Sequence, residues 1–496
     1  MEEVFDVAII GGGINGCGIA ADAALRGLSV ILFEKGDIAS QTSSSSSKLI
    51  HGGLRYLEYY DFRLVKKALD ERQRLLKIAP HLIHAIPFVL PYQQGMRPAW
   101  LLRTGLFLYD NLSRKNKLPR SKFIRRIKHS TYFAPLKEEF NKGFVFYDCT
   151  TDDSRLTITN ALQAKKHGAL IQNYTQLTQA NVKDKIWYLT VKSKLGEKTA
   201  KAKTIINAAG PWVESVNNLL DIPNKFKMSL VKGSHMVVHK LYEGNHAYLL
   251  QHKDKRIVFV VPYHHHTMIG TTDIAFNDSL DEINISSEEI NYLSDLINNY
   301  LRHPIQKEDI IHTWSGVRPL LAATGEELRT LSRDYSYHYT GLPAPAITIY
   351  GGKITTYRQL AQEVVDELRH VFPYLKKSQT REQTLPGSQL REISHKDYLS
   401  YVQDKYFWLP DELRQHYLNN YGTRAESLLA NCTKMPDLGY DFGHGLYQVE
   451  VDYLHREEWA QSCDDILWRR TKLGLNFTPE DKQILTEYLS NINGYN

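Results

Sequence analysis

Gly11, Gly13 and Gly16 stand in the run Ile9-Ile10-Gly11-Gly12-Gly13-Ile14-Asn15-Gly16, and Glu34 follows eighteen residues after Gly16. That spacing suits a pyrophosphate. Backbone N–H groups at the start of a helix lack partners inside it and sit at the positive end of its dipole, so they hold phosphate without a cation. Gly11 permits the tight turn, Gly13 lets backbone approach the ligand, Gly16 lets the helix pack on the strand before it, and Glu34 accepts a bond from a ribose hydroxyl. Ile14, Asn15 and Lys35 flank these positions and share the expected contacts. Such a loop works only between a strand and a helix. Residues 6–10 are a short apolar run, 17–26 are Ala-rich with helical period, and 28–33 form a second apolar run, which predicts one βαβ unit and a parallel sheet.

Two distant segments favour a flavin dinucleotide over a nicotinamide one. Ile205-Ile206-Asn207-Ala208-Ala209-Gly210-Pro211-Trp212 is a strand running into residues too small to obstruct a flat ring, and Tyr350-Gly351-Gly352-Lys353 opens another helix, with Thr355 close behind. A nicotinamide enzyme has no need of a second strand returning to the same nucleotide. The plainer reading is two ordinary strand–turn–helix junctions. Thr42, then Ser43 to Ser47 (five consecutive serines), then Lys48 and Leu49 follow the nucleotide-binding strand. Small hydroxyls there donate to phosphate and ribitol oxygens without bulk, Ser43, Ser46 and Ser47 among them; as low-complexity sequence the run would be a flexible linker.

The remaining chain reads as alternating elements. Helical patterns cover 62–78, 154–168 and 287–301, and strands 204–207, 233–239, 256–271 and 348–350, the last followed by a helix through 372. Beyond about 378, with a Pro386-Gly387 break near the junction, the sequence turns polar, Tyr-rich and helical, predicting a separate C-terminal domain. His264-His265-His266 is not a metal site: neighbours on a strand point to opposite faces, and the run lies where a hairpin turn belongs.

These motifs resemble the FAD-dependent glycerol-3-phosphate dehydrogenases. The likeness is carried by Gly11 to Gly16, by Ser46-Ser47-Lys48-Leu49-Ile50-His51-Gly52-Gly53-Leu54-Arg55-Tyr56-Leu57, and by Lys232-Gly233-Ser234-His235. It continues through Ile269-Gly270-Thr271-Thr272-Asp273, Ser315-Gly316-Val317-Arg318-Pro319 and Gly351-Gly352-Lys353-Ile354-Thr355-Thr356-Tyr357. It extends over residues 1–375 and is looser in the last 120. The resemblance implies an α/β fold: a glutathione-reductase-like FAD-binding Rossmann domain (1–75, 150–215 and 320–377), an inserted β-rich substrate domain (76–149 and 216–319) and a C-terminal helical cap (378–496). It implies oxidation of sn-glycerol 3-phosphate to dihydroxyacetone phosphate by hydride transfer to FAD, with electrons passed to membrane quinone. A homodimer bound peripherally at the inner face of the cytoplasmic membrane is implied with it.

Arg55, Arg318 and Arg333 match the family's substrate-site arginines, and planar guanidinium forks suit a phosphate dianion. His235 is the expected general base, since an imidazole titrates nearest neutral pH. The resemblance further implies that Lys353 stabilises anionic reduced flavin or a developing alkoxide, that Tyr56 bonds the substrate, and that Asp273 positions the site. His235, Arg318, Lys353 and Arg55 are thus the catalytic candidates; no metal is expected.

Composition narrows the rest. Lys plus Arg at 61 against Asp plus Glu at 55 gives a net +6, suited to anionic substrates or an acidic membrane rather than to nucleic acid. At 496 residues, 42% hydrophobic, about three domains are expected. Cys17, Cys149, Cys432 and Cys463 form no CxxC pair, which fits a reducing, cytoplasmic setting. Neither an export signal nor an 18-residue apolar run is evident, so membrane contact is expected to be peripheral. Residues 97–128 are the candidate surface, or else a solvated basic face beside an ordinary buried helix: Arg97, Arg103, Arg114, Lys115, Lys117, Arg120, Lys122, Arg125, Arg126 and Lys128 interleave with Trp100, Leu101, Leu102 and Leu106 to Tyr109. Rival readings are an oxidase of glycerol phosphate, amines or amino acids that uses oxygen, and an RNA-binding module using that basic stretch.

Overall fold

The computed structural model describes residues 4–93, 98–251, 256–321, 334–389 and 395–494. Strand Val4–Ile10, buried from Val7 onward, lies between Val30–Phe33 and Gly196–Asn207, all three parallel. Ala346–Gly351 and Leu170–Gln172 extend the parallel set on either side, and Tyr335–Thr340 closes one edge antiparallel. Continuous apolar strands are what a sheet covered on both faces requires. One face is packed by helices Ile14–Leu25, Asp153–Lys166 and Tyr357–Glu367, and the other buries Trp187 and Leu189 beside Ile205. The registers Ile10↔Asn207 and Asn207↔Thr348 bring the carboxyl ends of three strands together at the glycine turn, where ligands of such sheets bind.

Gly196–Asn207 is longer than the predicted 204–207 because its first half pairs antiparallel with Ile186–Ser193. That half carries Glu197, Lys198 and Lys201 and so lacks an apolar signature.

Among the described residues the second sheet has ten strands. Met228–His239 pairs with His266–Gly270 on one side and Ile310–Leu321 on the other, in a register that sets Gly233 opposite Gly316 and His235 opposite Trp314. Ile257–Tyr263 and His266–Gly270 form the hairpin expected at the histidine run, with His264 in the left-handed region at φ 51°. Leu49–Ile50 also joins this sheet, through Cys149 and Thr150. It falls inside the 1–75 stretch expected to belong with the nucleotide domain, so the serine run is the crossover from one sheet to the other.

Helices His395–Lys405, Asp411–Tyr421, Gln448–Glu458 and Pro479–Gly494 enclose a core of their own. Buried ion pairs tie this helical part to the first sheet's helices and loops. Arg155 forks onto Glu458 with both side chains within 1% of full burial, and Arg470 reaches Asp37 at 2.7 and 3.0 Å. Removing one partner strands the other charge away from water, at a cost of about 3–5 kcal/mol. Glu458→Ala is therefore expected to lower the denaturation midpoint sharply, while Glu457→Ala, on an exposed ion pair, leaves it nearly unchanged; equal midpoints for the two variants would contradict this.

Candidate active site

The joined strand ends open onto a cleft enclosing about 2160 Å³, its open mouth included, whose far wall carries residues of Met228–His239 and Ile310–Leu321. At the near end Gly11 turns the chain at φ 113°, and a Cβ on Gly16 would lie 1.9 Å from the Gly11 carbonyl oxygen. Gly16 thus serves packing, as its place in the motif predicts, and does not line the cleft; Gly11, Gly13, Ile14 and Asn15 do. The Ile14 N–H donates to Ser43 Oγ at 2.9 Å. Asn15 donates to the Gly351 carbonyl at 3.2 Å, leaving its Oδ1 buried with no partner.

Glu34 accepts from the N–H groups of Gly12 (2.6 Å) and Gly36 (2.9 Å). Burial pushes its pKa up, and those two donors pull it back. Lys35 lies 3.9 Å from the Trp212 ring centre, and with Ala209 and Gly210 they form one wall. Gly352, Lys353 and Thr355 also line the cleft.

That run is an ordered strap rather than a linker. Thr42 donates to the Val317 carbonyl at 2.7 Å, and the Ser46 N–H and hydroxyl both donate to Asp153 Oδ2, at 3.1 and 2.7 Å. Thr42, Ser43, Ser46, Ser47 and Leu49 all line the cleft. Lys48 does not: it sits at φ 55°, and its ammonium turns to Asp153 (2.8 Å) and the Ser44 carbonyl (3.0 Å). Its charge neutralises the carboxylate that anchors the strap, which corrects its assignment to the cofactor.

At the far end His235, 2% exposed, lines the cleft. Its Nε2 is 2.9 Å from Ser47 Oγ, its ring stacks on Trp314 at 5.3 Å, and its buried Nδ1 has no partner. Burial, then the charges of Arg318 and Lys48, hold its pKa well below 6.5, so the ring is neutral. Arg318 lies across Gly233, where a Cβ would stand 1.9 Å from Nη2. It donates to the Thr272 carbonyl at 3.0 Å and pairs with Asp273 at 3.0 Å. Gly233 and His235 share one face of their strand, two residues or about 6.6 Å apart, so guanidinium and imidazole sit side by side. Lys353 Nζ lies 4.0 Å over the Tyr56 ring.

Arg55 departs from expectation. It is half-buried on the turn Leu54–Tyr59 and does not line the cleft; Tyr56 takes the inward position, and consecutive residues of a 3₁₀ turn diverge by about 120°. Arg333 and Arg97 lie outside the described residues.

A glycine-floored cleft with an orphaned amide oxygen at one end and an orphaned imidazole nitrogen at the other fits a long dinucleotide plus a small substrate. Residues 6–358 match the family described as FAD dependent oxidoreductase. The chain belongs to that family. Residues 378–491 match the C-terminal domain of alpha-glycerophosphate oxidase. Among curated relatives of this FAD-dependent oxidoreductase, a glycerol-3-phosphate dehydrogenase of Pseudomonas aeruginosa is 44% identical over 99% of this chain and 96% of its own. A D-erythritol 1-phosphate dehydrogenase of Brucella abortus is 42% identical over 99% of each. Among solved structures, the glycerol-3-phosphate dehydrogenase of Bacillus halodurans complexed with FAD superposes with a TM-score of 0.76 at 23% identity, covering 99% of this chain and 94% of that one.

Sequence reasoning missed several residues of this FAD-dependent oxidoreductase's site. Asp153 reads as an ordinary start to a helix, and Trp314 as a core aromatic. His51, Phe259 and Thr271, which line the cleft, lie inside or beside matched motifs but carry no signal of their own.

Proposed function

We propose that this chain oxidises sn-glycerol 3-phosphate to dihydroxyacetone phosphate and passes the electrons to a membrane quinone. The observation that carries it is the juxtaposition of the neutral His235 ring and the Arg318 guanidinium on one wall of the cleft. That spacing suits a molecule with a phosphate a few bonds from a secondary hydroxyl. Arg318 grips the phosphate, and the resemblance adds Arg333 as a further phosphate ligand. His235 accepts the hydroxyl proton, and the Ser47 hydroxyl on Nε2 fixes its ring. Tyr56 bonds the substrate, and Lys353 brings positive charge to the same end. Bound FAD supplies the two-electron acceptor for the carbinol hydrogen. In this reading residues 1–75, 150–215 and 320–377 hold FAD and 76–149 with 216–319 hold substrate.

Turnover with a soluble quinone analogue tests the assignment. Glycerol 3-phosphate should give the highest kcat/KM, with little peroxide. A higher value for D-erythritol 1-phosphate would move the substrate to the longer polyol phosphate, and peroxide in step with product would make the enzyme an oxidase.

Peripheral lipid contact is supported by helix Ala99–Asn111, which exposes Trp100 (69%), Leu101 (44%), Phe107 (59%) and Leu108 (38%) along one face, since residues seven apart align. Phe123 and Ile127 are exposed beside it among Lys122, Arg125 and Lys128. Apolar residues ringed by cations suit an anionic bilayer surface, and no described helix is long and apolar enough to cross one. The paired change Trp100→Glu, Phe107→Glu should abolish pelleting with anionic vesicles while turnover with the soluble acceptor persists; unchanged pelleting would remove this face from the proposal. The homodimer rests on the resemblance, and sedimentation in mild detergent checks it.

A further inference from the structure

We propose that Glu289 is a positioning residue for the phosphate-binding arginine, setting substrate affinity from behind the sheet without touching the substrate. The inference rests on the reading of Arg318 as the phosphate ligand.

Glu289 is the third residue of helix Ser287–Asn298, and its pattern with Ser286 reads as a capping box. A capping-box glutamate needs one backbone partner, and Glu289 has that one: the Ser286 N–H donates to Oε2 at 2.9 Å. It also has three partners that a cap does not need. Oε1 accepts from the Ser234 hydroxyl at 2.8 Å and from the Thr272 hydroxyl at 2.6 Å, and Oε2 pairs with Lys232 Nζ at 2.9 Å. The side chain is fully buried. Burial pushes its pKa up, and the donors from Thr272, Ser286, Lys232 and Ser234 more than reverse this, so it remains a carboxylate.

An ionised carboxylate only accepts, and this fixes the direction of every hydroxyl around it. Ser234 and Thr272 must both donate to it. The Ser234 oxygen is then left to accept from the Ser315 hydroxyl, 2.7 Å away, and the Thr272 oxygen to accept from the Ser234 N–H at 2.9 Å. One buried group therefore sets three segments against one another: the strand that presents His235, the turn at Thr272, and the strand that presents Trp314 and Arg318. The turn matters most, because the Thr272 carbonyl and Asp273 are what Arg318 rests on. Ser234 faces Glu289, whereas its neighbours Gly233 and His235 face the cleft, as alternation along a strand requires. The carboxylate thus lies on the opposite side of the sheet from the substrate.

Two isosteric variants test this, Glu289→Gln and Thr272→Val, each purified with FAD bound. Glutamine offers a donor where acceptors are needed, and valine removes the hydroxyl that joins turn to carboxylate. Each is expected to raise KM for glycerol 3-phosphate about tenfold, the scale of one misplaced charge-assisted bond, with kcat within about threefold of the parent. The double variant should rise little further, because both break one linkage. Inorganic phosphate titrated against the flavin difference spectrum gives a second readout that involves no turnover, and its Kd should weaken in parallel. Unchanged KM and phosphate Kd in the variants would overturn the proposal. So would lost stability or FAD content with KM held constant, the signature of a structural role alone. Should Glu289→Gln fail to fold, Thr272→Val decides by the same readings. If the parent enzyme ignores glycerol 3-phosphate yet binds inorganic phosphate, the substrate reading fails by itself, and the phosphate Kd still judges Glu289.

Discussion

His235→Ala is expected to keep its FAD and lose about 10² to 10⁴ in kcat, the usual worth of a positioned general base. FAD is expected to stay because Gly11, Gly13, Ile14, Asn15 and Glu34 lie at the glycine turn and strand ends of the first sheet, whereas His235 lies on a strand of the second sheet and meets the serine strap at Ser47. Turnover falls because the immediate neighbours of His235 do not replace it: Arg318 is a cation, Ser47 offers a weakly basic hydroxyl, and Asp273 is committed to Arg318. His235→Gln keeps a polar side chain of similar size against Trp314 and should fall as far, which separates loss of the base from loss of packing. The pH profile adds a second check. Burial and neighbouring cations depress the imidazole pKa, so the neutral, proton-accepting form persists at and above pH 6.5. The limb belonging to His235 in a plot of kcat/KM, which reports the substrate-free enzyme, therefore lies below pH 6.5. Near-parental turnover in either variant would remove His235 from the chemistry.

Arg318→Ala carries the second large effect, and it falls mainly on KM. A guanidinium gives a phosphate dianion two parallel charge-assisted bonds, each worth about 1.5–3 kcal/mol. Losing the fork should raise KM by about a hundredfold or more. Arg318→Lys should recover only part of this, since an ammonium cannot reproduce the fork. Gly233→Ala offers an orthogonal route to the same loss. Its new Cβ would sit 1.9 Å from Arg318 Nη2 and 2.6 Å from Thr271 Oγ1, so the guanidinium and the Thr271 side chain must both shift. A raised KM in Gly233→Ala with FAD retained would place the phosphate at this spot; an unchanged KM in Arg318→Ala would remove the arginine from the site.

The nucleotide end of this site was legible because its chemistry is local. A strand, a glycine turn, a helix and an acid lie within 34 residues, and each is required by the same ligand. The substrate end joins segments near residues 47, 235, 272 and 318, which no periodicity relates. The family motifs picked out His235 and Arg318 but not how they are held. Asp153, Trp314 and Glu289 went unread because each has a local excuse: a helix start, a core aromatic, a capping box. Lys48 and Arg55 were misplaced for a related reason. A motif names a stretch of chain, while backbone geometry, φ 55° at Lys48 and a 3₁₀ turn at Arg55, decides which of its side chains points inward.

The most direct test is to purify the protein in mild detergent, record its visible spectrum, and add sn-glycerol 3-phosphate without oxygen. The account predicts a flavin band that bleaches as dihydroxyacetone phosphate forms in equal amount, with glycerol and amino acids leaving it unchanged. A bound flavin that stays oxidised in the presence of glycerol 3-phosphate would contradict it.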